Sequence, residues 1–342
     1  MLTLKQIEEL RTHLKTAENP LFFYDDDPDG ICSYLLLKKY VEKGKGVILK
    51  ASPRLDINLK RKLEEHYPDK IFVLDIPIIT QEFIDIAKSP IYWIDHHPPL
   101  DLKGVHYYNP LLTKPIDNKP VSYYCYKITE QSLWLSVVGC IADHFIPEFL
   151  PEFIKKYPDL LTKESNIDDI IFKTKLGELI KVFSFIAKGD TSDVNKSISI
   201  ISKIDSPYEI INQETPRGKY IYKKVQRLYK EYNKVLRIAL SDKPKDKVFF
   251  FQYANKNSFT SELAGELLYR FPDKIVVVAR EKSGQLKLSF RSKKISIRSI
   301  IEECMQGIEG YAGGHEHACG GNIAKEDFSI FMERFREKIN RK

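Results

Sequence analysis

Residues 21–33 read Leu21-Phe22-Phe23-Tyr24-Asp25-Asp26-Asp27-Pro28-Asp29-Gly30-Ile31-Cys32-Ser33. Four apolar or aromatic residues run straight into four carboxylates within five positions. A short apolar run cut off by Asp, Pro and Gly predicts a buried strand entering a turn. Crowding like charges at one strand end costs stability unless something positive sits among them. Hard divalent cations take carboxylate oxygens. Two readings of this stretch are therefore open: an acidic turn in water, or one wall of a metal site. The other acidic and histidine clusters of the chain decide between them.

The pattern returns twice. Phe-Val-Leu ends at Asp75 and Tyr-Trp-Ile ends at Asp95, so Ile71–Leu74 and Ile91–Ile94 read as further buried strands. Asp after a strand is an ordinary helix cap, which accounts for one instance better than for three. Helical segments alternate with these strands. Leu4–Leu14 carries Leu4, Ile7, Leu10 and Leu14 at helical spacing, and Gly30–Lys43 carries Ile31, Leu35, Leu36 and Val41. Asp56–His66 reads as a charged helix. Thr80–Lys88 reads as a helix capped by Thr80 with Glu82 in its first turn. Val47–Ala51 adds a short strand. Such alternation predicts a parallel sheet, and open parallel sheets bind ligands just beyond the carboxyl ends of their strands.

Further along, Pro110–Pro120 reads as a loop and Val121–Ile141 as helical, ending at Asp143-His144. Residues 145–190 read as helical packing. Arg217–Arg237 holds eight Lys or Arg and one acid, Glu231. Its apolar residues Ile221, Val225, Leu228, Tyr232 and Val235 form one helical stripe. Lys223, Arg227, Lys230, Lys234 and Arg237 form a second. That basic stripe is either a solvated face or a rail that tracks phosphates beside the crevice. Residues 246–342 read as a second α/β unit. It contains a strand Val248–Tyr253, a helix begun by Ser258 or Thr260, and two strands, Lys274–Arg280 and Leu286–Arg291, joined by a Ser283-Gly284 turn. A helix Ile297–Cys304, a Gly-rich loop over 309–321 and a terminal charged helix complete it. The expected domains are thus 1–190, a helical connector 191–245, and 246–342.

The chain has 342 residues, enough for two domains, and 43% of them are hydrophobic, which excludes a disordered protein. No apolar run reaches the length of a membrane span, and the amphipathic N-terminal helix has no signal-peptide core. Five scattered cysteines, none in a CxxC pair, argue for a reducing, cytoplasmic setting and against a disulfide scaffold or zinc ribbon. A formal net charge of +7 permits an anionic partner.

The candidate ligands are Asp25, Asp27, Asp29, Asp75, Asp95, His96, His97 and Asp143. Carboxylate and imidazole donors suit Mn, Mg, Fe or Co better than the sulfur-rich sites of structural zinc. They are too many for one ion and fit a pair about 3.5–4 Å apart with an activated water, which favours a phosphate ester or anhydride as substrate. For Asp95-His96-His97, adjacent residues point in different directions. Two histidines filling one apolar pocket is therefore a poorer account than a metal role.

With these motifs in order, the chain resembles the DHH/DHHA1 phosphoesterases, and within them the RecJ-like exonucleases of the short archaeal type. The matching residues are the DDDPDG over 25–30, Asp75, the DHH over 95–97, Gly139 with Asp143, the SFRS over 289–292 and the GGHEHACGG over 313–321. The resemblance implies a parallel-sheet catalytic domain with a smaller α/β domain across a cleft. It implies an exonuclease that hydrolyses single-stranded DNA or RNA to nucleoside monophosphates with two divalent ions, Mn foremost, Mg or Co as alternatives. Asp27 and Asp29 would be ligands of the two metals, and Asp25 a further ligand or a supporting partner. Asp75 would bridge the ions, and His96 with Asp143 would complete the second. Asp95 would orient His96 or its strand, and His97 would meet the scissile phosphate. Arg291, Gly313, Gly314 and His315 would hold the substrate end. Phe23 stands where many members of the family have a His. Alternatives with the same chemistry are an oligoribonuclease or a cyclic-dinucleotide phosphodiesterase. A non-catalytic replication scaffold is the alternative of another class. A role in DNA repair with a helicase or replisome partner belongs to the same expectation.

Overall fold

The computed structural model of the protein describes residues 1–50, 54–163, 166–241, 244 and 246–341. Ala51, the end of the strand expected over 47–51, lies outside them, as do residues 242, 243 and 245 of the expected connector. The chain forms two compact units, Met1–Val225 and Gln226–Lys342, and the division falls within one long helix, Pro216–Ser241.

The first unit is built on a five-stranded sheet in the order Lys45–Leu49, Leu21–Asp25, Ile71–Leu74, Ile91–Ile94, His106–Tyr108, with every pairing parallel. Its three central strands are buried on both faces, which is why they read as unbroken apolar runs rather than alternating ones. On one face Phe22, Phe72, Tyr92 and His106 stack in register, with ring centroids 5.4, 5.2 and 4.9 Å apart. On the other face Leu21, Phe23, Val73 and Trp93 join Phe83 in a core cluster. Phe23 is wholly buried there, so its position is filled by packing. The chain leaves strand Leu21–Asp25 for the edge strand Lys45–Leu49, then crosses to Ile71–Leu74 on the opposite side of Leu21–Asp25. The sheet therefore reverses its direction of growth between Leu21–Asp25 and Ile71–Leu74. That switch point is where open α/β sheets leave a crevice at their carboxyl ends. Asp25 and Asp75 stand at it.

The helix Pro28–Val41 starts at once after the first strand. Asp27 caps it by accepting the Gly30 N–H at 2.9 Å, with Pro28 in its first turn. A Cβ on Gly30 would meet the Asp25 backbone oxygen at 2.8 Å and its nitrogen at 2.9 Å. Only glycine lets the helix start so tightly against the strand end.

Several local expectations need correction. The helical region over 121–141 is two helices, Val121–Thr129 and Leu133–Ala142, because Glu130 and Ser132 take left-handed backbone conformations, each with φ 53°. The polar Glu-Gln-Ser insert interrupts the apolar run at that point. The charged helix over 56–66 begins as a 3-10 turn, Ile57–Leu59, and is α-helical only over Lys60–His66. Leu4 keeps helical spacing yet is 89% exposed, and Leu2 is buried instead. The edge strand His106–Tyr108 was not anticipated.

In the second unit the strands run in the order Gly310–His315, Ala318–Ala324, Gln285–Arg291, Ile275–Lys282, Val248–Ala254. The Ser283-Gly284 turn is present, with φ 53° and 73°, the positive pair that a two-residue hairpin favours. The segment expected as a Gly-rich loop is an antiparallel hairpin, with Gly313 opposite Gly320 and His315 opposite Ala318. Glycines weaken strands intrinsically, but here Ala318–Ala324, paired with Gln285–Arg291 on one side and with Gly310–His315 on the other, carries them. One face of this sheet packs Val277, Leu288, Phe290, Cys319 and Ile323 against Phe331 and Phe335 of the terminal helix Phe328–Asn340. On the long helix, Ile221, Val225, Leu228, Tyr232 and Val235 are buried, while Lys223, Arg227, Lys230, Lys234 and Arg237 are all exposed. Among the described residues no helix is long and apolar enough to cross a membrane.

Candidate metal centre

Three strand ends and the end of one helix bring the acidic and histidine residues together. Asp25 closes the first strand, Asp75 follows Ile71–Leu74, Asp95-His96-His97 follows Ile91–Ile94, and Asp143 caps helix Leu133–Ala142. Three sets of donor atoms each lie within 4.8 Å of one another: Asp25, Asp27 and Asp75; Asp75, His96 and His97; Asp29, His96 and Asp143. Asp75 is shared by the first two sets and His96 by the last two. Each set could hold a metal ion.

Asp75 is 2% exposed. Its backbone is left-handed, φ 57°, a conformation that Asp and Asn tolerate better than most residues. Its Oδ1 is buried with no hydrogen-bond partner; the nearest imidazole nitrogens are His96 Nε2 at 3.5 Å and His97 Nδ1 at 3.9 Å. Burial, and then the charges of Asp27, Asp29, Asp25 and Asp143, push its carboxyl well above the usual range. Burial and then Asp29 and Asp27 do the same to Asp143. His96 sits between Asp75 and Asp143, with Nδ1 3.7 Å from Asp143 Oδ2.

Asp29 has a second task. Its Oδ2 accepts the Val121 N–H at 2.8 Å and its Oδ1 the Ser122 N–H at 3.0 Å. It thereby satisfies the start of helix Val121–Thr129, whose own cap residue, Pro120, offers no side-chain acceptor. Gly139 makes room for it: a Cβ there would meet Ser122 Oγ at 2.4 Å and Asp29 Oδ1 at 3.2 Å. Burial first, then Asp27, raises the Asp29 carboxyl to about 7 against the pull of these hydrogen bonds.

Asp95 is fully buried and holds His97, not His96. Its Oδ1 accepts from His97 Nδ1 at 2.8 Å and its Oδ2 from the His97 backbone N–H at 3.1 Å. This assigns the Nδ1–H tautomer to the neutral ring. Burial pulls the His97 imidazole down, but the Asp95 hydrogen bond and charge outweigh it and hold it above its ordinary value. Tyr107 and Asn109 brace the same carboxylate, Tyr107 by its hydroxyl at 3.2 Å, and Asn109 also ties down the His97 carbonyl at 2.8 Å. These two escaped the sequence reading. They lie in and beyond the unforeseen edge strand, and nothing in the local pattern marks them.

The donor set fits divalent metal. It is carboxylate and imidazole without thiolate, several acids are crowded and buried, and one buried carboxylate oxygen lacks a hydrogen-bond donor.

In the second unit Arg291 donates from Nη2 to Ser261 Oγ at 2.7 Å and from Nη1 to the Phe290 and Cys319 carbonyls at 2.9 and 3.3 Å. Burial lowers its guanidinium from the ordinary value. Arg291 and His315 share one row of the sheet, both opposite Ala318, and His315 is exposed.

Residues 224–341 match the DHHA1 domain family. RecJ from Thermus thermophilus, in complex with Mn2+, aligns with a TM-score of 0.74 at 16% identity, over 100% of this chain and 55% of that one. The chain thus spans little more than half the length of that RecJ. A second exonuclease RecJ, bound to manganese, aligns at 0.61 with 14% identity over 100% of this chain and 96% of its own. The DHH domain of a protein assigned to a family of ribosomal proteins aligns at 0.67 with 16% identity over 98% of this chain and 90% of its own. At such identities the likeness is one of fold. No curated protein matches the chain in sequence.

Proposed function

The chain carries a DHHA1 domain on the fold of RecJ and other DHH proteins, and on that footing we propose that it is a metal-dependent phosphodiesterase, an exonuclease acting on single-stranded nucleic acid. The observation that carries this reading is the buried Asp75 oxygen without a hydrogen-bond donor, set among Asp25, Asp27, His96 and His97. Divalent cations held there would supply an activated water and neutralise charge on a phosphodiester. Asp25 and Asp27 serve one position and Asp29, His96 and Asp143 the other, with Asp75 between them. His97, kept proton-rich by Asp95, donates to the scissile phosphate. Arg291 and His315, with Gly313 and Gly314, bind the phosphate of the strand end through charge-assisted and backbone donors.

Hydrolysis of an end-labelled single strand in the presence of Mn, Mg or Co tests the proposal, with Asp75→Asn as the comparison. Metal-dependent release of mononucleotides that the variant has lost supports it; undiminished release by the variant sinks the site assignment. Parallel assays on two-residue and longer strands separate an exonuclease from a dinucleotide-specific enzyme.

A further inference from the structure

The hairpin of the second unit shows one face to its core and the other outward. Cys319 and Ile323 belong to the core cluster and Ala312 packs against it. Residues two apart on a strand, and residues directly opposite on antiparallel neighbours, share a face. The register therefore sets three rows on the outward face. One row is Tyr311, Asn322, Lys287 and Arg280. The next is Gly313, Gly320 and Ser289. The third is His315, Ala318 and Arg291. The helix Thr260–Arg270 covers this face over the inner strands, touching Arg291 through Ser261. The hairpin half stays open.

The hairpin end of the middle row, Gly313 and Gly320, is a bare floor. A Cβ on Gly313 would meet nothing within 4 Å, and one on Gly320 only the Leu288 carbonyl at 3.8 Å. A flat group can lie on backbone there. At one side of the floor stand the phosphate-binding candidates Arg291 and His315. At the other stands Tyr311, 58% exposed, whose side chain makes no hydrogen bond or ring contact among the described residues. In its row, Lys287 is exposed, so the row is cationic as well as aromatic. Along the strand Tyr311 is about 13 Å from His315, farther than one phosphate reaches and within reach of a short strand end. A lone exposed aromatic is an ordinary surface feature. An aromatic at the rim of a glycine floor, with the exposed Lys287 in its own row and Arg291 and His315 across the floor, is suited to a planar base attached to phosphates.

We propose that Tyr311 is a stacking platform for a nucleobase of the strand end that Arg291 and His315 hold by its phosphate. This rests on the reading that the second unit receives single-stranded nucleic acid, and it adds recognition of a base to that of the phosphate. Base–aromatic stacking tolerates every base, since each has a π-face. The platform would therefore select for the presence of a base and not for its identity.

The test uses the full chain without metal and single strands that carry 2-aminopurine near one end or the other, with fluorescence quenching as the readout. The expected result is quenching near one end only. It persists in Tyr311→Phe and is lost in Tyr311→Ala, which binds about tenfold more weakly. An abasic residue at that end should erase the difference between wild type and Tyr311→Ala. Tyr67→Ala, a change at another exposed tyrosine, should leave the quenching as it was. Quenching that survives in Tyr311→Ala, or loss in Tyr311→Phe as large as in Tyr311→Ala, overturns the platform. So does an abasic end that binds as tightly as an intact one. Hydrolysis with added metal is read separately. A strand that is bound and quenched but never cut leaves the platform and removes the nuclease reading. A strand that is cut with no Tyr311 dependence of binding removes the platform alone. No binding by wild type overturns both.

Discussion

Asp29 accepts the backbone N–H of Val121 at 2.8 Å across 92 residues of sequence. One carboxylate thus starts a helix and lines the candidate metal centre. Asp29→Ala should destabilise the metal-free protein by about 1–2 kcal/mol through the lost cap. Asp29→Asn, which keeps one acceptor oxygen, should cost less. Thermal melts in chelator measure the order; equal losses would mean that the cap contributes nothing.

Asp75→Asn should separate binding from folding. In chelator the variant should be at least as stable as wild type, because one crowded buried carboxyl is neutralised. Added Mn at 100 times its Kd should stabilise wild type by about 2.7 kcal/mol and the variant far less. Melts with and without metal decide this. An equal metal-induced rise in both proteins would remove Asp75 from the ligand set.

The metal-free protein should lose stability as pH rises. The Asp29 carboxyl is raised to about 7 in the folded chain, against about 3.9 when unfolded. The folded state therefore binds more protons, and stability falls between these two values. Asp75 and Asp143, raised in the same direction, extend the fall upward. The midpoint in chelator should decline from pH 5 to pH 7, and less steeply in Asp75→Asn. A midpoint that rises over this range would contradict the burial of these acids.

Asp95→Asn should release His97. The imidazole is held above its ordinary value by the Asp95 hydrogen bond and charge, so its titration by NMR in metal-free protein should move down. Turnover should fall about 10–100-fold, the usual loss when such a supporting carboxylate is removed. An unmoved His97 titration would leave Asp95 with a packing role only.

Lys230→Ala and Lys234→Ala test the exposed basic stripe. If it follows a strand's backbone, each change should weaken single-strand binding for all sequences alike. Each should also reduce the salt dependence by about 0.7 in the log–log slope. Binding curves at several salt concentrations that overlay those of wild type would make the stripe a solvated face.

How far the sequence was readable follows from which contacts decide each element. Leu21–Tyr24, Ile71–Leu74 and Ile91–Ile94 are sealed on both faces, so their composition alone marks them as central strands. The tight Asp27–Gly30 start is local, and its residues announce it. The edge strand His106–Tyr108 pairs on one side only and keeps His106 exposed, which leaves little pattern to read. The hairpin 310–324 is disguised by glycines that only pairing with each other's strand and with Gln285–Arg291 makes into a sheet. The cluster of acids was legible as a list. Its division of labour was not, because Asp95 turning to His97 and Asp29 capping a distant helix are contacts between segments.

The left-handed backbone of Asp75 bears on how substitutions at that position would be tolerated. Most side chains there would meet a steric penalty of about 1–2 kcal/mol. Glycine would relax the turn and asparagine would fit it. A library at position 75 sorted only for folded, soluble protein should therefore enrich Gly and Asn. The same library sorted for turnover should return Asp. The distance between those two winners measures how much foldability the protein gives up to keep a charge at that turn.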